Sequence, residues 1–126
     1  MLFRSGKLNM AGTITRFESA EQTTPTTNGT TGSIAHGGPR APDHVQWVLR
    51  CKTAELGYSI GDEYNLTFMD VGLNDRILST WQNSTNVGYQ WIMGANAAPA
   101  IRNKAATTLS TVTAANWRLV AYAHWL

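Results

Sequence analysis

The chain has 126 residues, 43% hydrophobic and only 14% charged, with a net charge of +2, against about 25% charged residues in a typical globular chain. That length suits one domain with a full core, and so small a charge does not imply a nucleic-acid or acidic-membrane partner. A single cysteine excludes an internal disulfide framework and a cysteine-based zinc site; no apolar run approaches the roughly 20 residues of a spanning helix, and no conventional secretion signal follows Met1.

Residues 1–10 have no clean period and are expected to be an arm or attachment segment, with one domain over residues 11–126. Residues 12–18 read as a strand from their Thr and aromatic content. The run TTPTTNGTTG over residues 23–32 holds Pro25 and Asn28-Gly29, which predicts a type I′ turn or an irregular loop. A short strand over residues 32–36 stops at Gly37-Gly38-Pro39-Arg40-Ala41-Pro42, because proline removes ladder donors.

The clearest strand covers residues 43–52, with Val45, Trp47, Leu49 and Cys51 on one face. A loop over residues 57–62 leads to a strand over residues 63–69, where Tyr64, Leu66 and Phe68 share a face. Residues 76–82 and 87–93 flank Asn83-Ser84-Thr85-Asn86, the pattern of a hairpin with a four-residue connection, and Val87, Tyr89, Trp91 and Met93 point together. Residues 94–99 read as a loop or a single helical turn, Gly94 and Asn96 favouring the loop. Short strands follow near residues 100–104 and 107–112.

The last strand, residues 116–125, puts Trp117, Leu119, Ala121, Ala123 and Trp125 on one face and needs a central place in its sheet, since a frayed end leaves two large aromatics in water. These elements predict an all-β fold, an antiparallel β-sandwich of about six to eight strands; residues 107–116 are where helix would enter most readily.

The residues that carry chemistry are sparse. His36, His44 and His124 lie on three elements without the local spacing of a zinc motif, and the Asp62-Glu63 pair and the Asp70 to Asp75 loop lack the spacing of a calcium loop. Cys51 has the phase of Trp47 and Leu49, which makes it a buried thiol. No nucleophile elbow and no phosphate cradle occur. The expectation is a non-enzyme without catalytic residues, cofactor or metal. A hydrolase would need carboxylates clustered in a cleft, a width that sequence spacing does not measure.

Trp47, Trp117 and Trp91 are expected between the sheets. Trp81, Tyr89 and Trp125 are candidate glycan-stacking residues, Trp81 and Trp125 being alternatively oligomer contacts. The second face of the last strand, with Arg118, Val120, Tyr122, His124 and Leu126, is too apolar for a solvent face and too polar for a core. Together with Val48 these residues, Arg118, Val120, Tyr122 and His124 foremost, are the expected homo-oligomer interface.

The stretch SIAHGGPRAPDHVQWVLRCKTAELGYSIGDE and the terminal NWRLVAYAHW resemble small β-sandwich proteins of tailed bacteriophages and related fibre tips, over residues 34–125. A looser resemblance is to the six-stranded H-type lectin domain, in which His36-Gly37, Pro42 and the strand from Val45 to Cys51 match the early hairpin and residues 117–125 the closing strand. The resemblance implies a compact trimer made in the host cytoplasm and located in the virion, as a capsid decoration protein or a head or tail fibre component. It implies other virion proteins as partners; the small net charge and the lack of a long apolar run leave nucleic-acid binding and membrane insertion unexpected. The alternative that it implies is a carbohydrate-binding receptor-recognition tip, with host-surface glycan as partner.

Overall fold

A computed structural model describes residues 6–8, 14–66, 77–95 and 98–126. Among these residues eleven strands follow in order: β1 (Gly6–Leu8), β2 (Ile14–Glu18), β3 (Gln22–Thr23), β4 (Thr31–Ala35), β5 (His44–Cys51), β6 (Glu63–Asn65), β7 (Ile77–Gln82), β8 (Asn86–Ile92), β9 (Ala100–Arg102), β10 (Leu109–Thr111) and β11 (Trp117–His124). All pairings are antiparallel. The described residues contain no α-helix; the helix-prone stretch before β11 makes only a 3₁₀ turn, Ala114–Asn116.

The larger sheet has the order β1-β2-β11-β5-β6, with β3 also on β11, and a three-stranded sheet has the order β4-β8-β7. β9 and β10 form a separate ribbon. The central place required of the last strand is found: β11 pairs with β5 over its whole length, from Trp117 opposite Cys51 to His124 opposite His44. On its other edge it meets β2 and then β3. Ser19 bridges the break between those two, its N–H donating to the Ala121 carbonyl and its hydroxyl accepting from the Ala121 N–H, both at 2.9 Å. A side-chain oxygen thus supplies the acceptor that the interrupted strand lacks, and the buried ladder stays paired.

The alternation read in the sequence sets the core. Trp47, Leu49 and Cys51 of β5, Trp117, Leu119 and Ala121 of β11, and Val87, Tyr89 and Trp91 of β8 belong to one buried cluster, joined by Met93, Ile101 and Val112. Both main sheets feed this cluster, so each contributes an apolar face to a common interior.

The hairpin has the expected four-residue connection: β7 and β8 pair up to Gln82 opposite Val87, and residues 83–86 turn between them, closed by the Asn83 side-chain oxygen, which accepts the N–H groups of Thr85 (3.0 Å) and Asn86 (2.8 Å). Gly29 has a positive φ of 83°, but Asn28 does not, so no type I′ turn forms. Asn28 instead accepts the Met93 and Gly94 N–H groups at 2.7 and 3.2 Å. Of the expected arm, residues 6–8 pair with β2; of the strand expected over residues 63–69, residues 63–66 are described and β6 takes the first three of them.

A half-buried carboxylate holds the entry to β11. Glu55 accepts from the Thr113 N–H at 2.7 Å, the Trp117 indole N–H at 2.7 Å and the Asn116 amide at 3.1 Å. Burial works against its charge, but these donors outweigh it and leave the carboxyl below its ordinary value. Trp117→Ala therefore removes a large core ring and an indole donor, with an expected loss of about 3–5 kcal/mol. Trp81→Ala, at an exposed position, is expected to lose about 1 kcal/mol or less. Urea unfolding midpoints of the two variants check the contrast.

Candidate functional site

The two main sheets divide the charge unequally. β4 (TGSIA), β7 (ILSTWQ) and β8 (NVGYQWI) contain no acidic or basic residue. On the larger sheet, Arg50 donates to Glu63 at 2.9 Å, Glu21 at 3.0 Å, Glu18 at 3.1 Å and the Tyr122 hydroxyl at 2.8 Å. Lys52 joins through Glu21 at 3.0 Å. Burial opposes the Arg50 charge, but the three carboxylates raise its pKa overall. The β4-β8-β7 sheet thus has an outer face on which no described strand residue is charged.

Strand alternation builds that face. Val87, Tyr89 and Trp91 of β8 turn into the core, so Gly88, Gln90 and Ile92 turn outward. Gly88 lies between Ser33 of β4 and Trp81 of β7, and Gln90 between Thr31 and Ser79. The Trp81 indole lies over Gly88 so closely that a Cβ there has no room. Glycine is thus required under the ring, which is 45% exposed. Thr31, Gly32, Ser33, Ser79, Trp81, Tyr89 and Gln90 line a groove of about 300 Å³. Its polar groups are hydroxyls and one amide, each able both to donate and to accept. The Ser33 hydroxyl accepts from the Asn86 amide at 2.9 Å.

Of the three aromatics expected to contact glycan, Trp81 is the open one. Tyr89 borders the same groove but turns its ring to the core side, only 6% exposed, edge-on to Trp47 at 5.2 Å and with its phenol pKa raised by burial, so it offers no stacking face there. Trp125 is elsewhere and 7% exposed: it packs on Gly38, lies edge-on to His36 at 5.1 Å and donates to the Arg40 carbonyl at 2.8 Å. His36 is itself buried; with Nε2 at 3.0 Å from the Asn83 carbonyl and Nδ1 accepting the Gly38 N–H at 3.0 Å, the network assigns its proton to Nε2.

The expected interface residues lie on β5 and β11. Val48 and Val120 face each other across the pair and are 3% and 0% exposed within the single chain, so in this conformation neither offers surface to a neighbour. Tyr122 is half-buried and donates to Glu63 at 2.6 Å, its pKa raised by burial and by that carboxylate. Arg118 donates to the Ala115 and Trp117 carbonyls at 3.0 and 2.8 Å. His124 is opposite His44, ring centroids 6.1 Å apart; burial, His44 and Arg16 lower its pKa.

Cys51 is buried, as its strand phase implies; burial raises its pKa, and its thiol donates to the Thr53 carbonyl at 3.2 Å. Among the described residues no three His, Cys, Asp or Glu side chains cluster to hold a metal, and no helix is long and apolar enough to cross a membrane. The loop from Asp70 to Asp75 lies outside the described residues. The sequence reading missed the pairing of Trp81 with Gly88 and the roles of Arg50 and Glu55. For the first, a signal exists: a glycine inside a strand across a hairpin from a tryptophan. No protein family, curated protein or solved structure matches the chain.

The charged groups give the stability a defined acid dependence. Lys52, then Arg50, lower the Glu21 pKa from 4.5; Arg40, then the Leu126 N–H, lower that of Asp43 from 3.8 to about 2; and Glu55 is lowered as above. Each carboxylate holds fewer protons folded than unfolded, so its contribution is complete above its unfolded pKa and disappears as pH falls through the folded one. His124, lowered from 6.5, likewise favours the fold above that pH and less below it. Chemical denaturation across pH is expected to show a decline starting below 6.5 that His124→Gln removes. A steeper decline below 4.5 is expected to be reduced by Glu55→Gln.

Proposed function

We propose that the chain is a non-enzymatic component of a tailed-bacteriophage virion, a recognition module of a fibre or tail that binds host-surface glycan through the outer face of the β4-β8-β7 sheet. In this reading the two main sheets are the layers of a β-sandwich, and copies made in the host cytoplasm assemble as a trimer in the virion. The observation that carries the binding role is Trp81, held over Gly88 with its other face open beside Ser and Thr hydroxyls and the Gln90 amide. Such a surface provides an apolar platform and amphoteric partners for a polyhydroxylated ligand. The virion location comes from the resemblance of residues 34–125 to phage β-sandwich proteins.

A purely structural role, decorating a capsid or extending a fibre, is favoured by a different observation: Ile60 is 71% exposed, Leu126 fully exposed and Ile92 38% exposed. Apolar side chains in water are what contacts with other copies or other virion proteins bury. Two measurements separate the readings. Native mass determination at micromolar concentration is expected to give a trimer, and a clean monomer counts against both. A glycan array is expected to give a signal that Trp81→Ala removes; a trimer silent on the array leaves the structural role and ends the recognition role.

A further inference from the structure

We infer that the groove takes an uncharged hexopyranose, one ring of a neutral oligosaccharide, laid with a C–H face on the open side of the Trp81 indole; this rests on the recognition reading above. The indole face carries the negative part of the ring quadrupole. The C–H bonds on one side of a pyranose present the opposite partial charge over a comparable flat area. Gly88 lets the indole close onto the sheet, and 45% of Trp81 stays exposed.

The polar groups decide the charge class. A carboxylate, sulfate or phosphate is recognised by cations or by several convergent donors. Among the described residues this groove offers neither Arg, Lys nor His, and β4, β7 and β8 contain no charged residue at all. A sugar hydroxyl both donates and accepts, so it is satisfied by partners that do the same. Ser79, Thr31 and Gln90 are such partners, and the Ser33 oxygen, already accepting from Asn86, has its own O–H to give. The Thr31, Gln90 and Ser79 row lies beside the row holding Trp81, the next position outward on the same sheet face. A volume of about 300 Å³ is at the small end of ligand sites, enough for one ring with part of a second. One stacking platform and a few hydrogen bonds in an open groove give an affinity on the order of 1 mM per site, so useful binding to a cell surface requires several copies acting together.

The test uses the full chain with lactose as neutral probe and sialyl-lactose as its acidic counterpart, read by saturation-transfer NMR and titration. Lactose is expected to receive saturation on the C–H protons of one ring face. Its binding is expected to be at least about tenfold weaker in Trp81→Ala, several-fold weaker in Gln90→Ala with an unchanged circular dichroism spectrum, and insensitive to salt. The same result with maltotriose in place of lactose supports the inference equally, since it concerns charge class and stacking. Tighter, salt-sensitive binding of sialyl-lactose that still depends on Trp81 overturns the uncharged class and leaves the recognition reading standing. Silence of every saccharide on the folded wild-type protein overturns both. Loss of the oligomer in Trp81→Ala, with saccharide binding absent, reassigns this face to contact between copies and overturns the inference.

Discussion

Strand β11 is paired along both edges, with β5 on one side and β2 followed by β3 on the other. A strand in that position has its backbone groups used by neighbours, and its register decides which side chains meet. A slip of one residue turns Trp117, Leu119, Ala121 and Ala123 out of the core and puts Arg118 and Tyr122 into it. The register is held at the start of the strand by Glu55, which ties the Trp117 indole and the Asn116 amide, and by Thr24, whose hydroxyl donates to the Trp117 carbonyl at 2.8 Å. Ser19 holds it midway, where β2 ends. The rest of the larger sheet is built outward from this strand.

The distribution of charge follows from which sheet contains Arg50. A guanidinium whose side chain is only 18% exposed needs acceptors for its donors. Glu18 of β2, Glu21 of the following turn, Glu63 of β6 and the Tyr122 hydroxyl of β11 supply them, so four separate elements converge on one side chain. These exposed and half-exposed pairs contribute modestly to stability one at a time. Their geometric effect is to gather charge on one sheet, while the other relies on hydroxyls, amides and a tryptophan. A neutral groove on one sheet and a charged face on the other are compatible because both sheets turn apolar side chains into the same buried cluster.

The groove in turn depends on a turn. Asn83 closes a four-residue connection, residues 83–86, which sets Gln82 opposite Val87 and hence Trp81 opposite Gly88. A connection one residue longer, with the same strands, offsets that pairing and places the indole against a residue with a side chain. Gly88 weakens a strand interior on its own account, and the covering ring compensates by shielding the backbone at that point. The same Asn83 lends its carbonyl to His36, so the loop that seats Trp125 and the turn that seats Trp81 share a residue.

Much of this was legible in the chain because a period of two is a local property. The faces of residues 45–51, 87–93 and 117–125, the hairpin around Asn83 and the stop at Pro39 and Pro42 all come from neighbours in sequence and the geometry of an extended backbone. Local pattern assigns a side but not what lies opposite it. Val48 and Val120 read as outward-facing and are, yet long-range pairing sets one against the other and buries both. Trp125 continues the alternation of β11, but whether it meets water depended on a glycine loop 85 positions away folding beneath it, with Arg40 as its acceptor. The acceptors of Arg50 are drawn from three other strands and a turn, and the glycine beneath Trp81 is fixed by the length of a turn. The sequence by itself determined strands, phases and the all-β class; only tertiary structure decided which aromatic remains open, because exposure is set by contacts between segments that are distant in the chain.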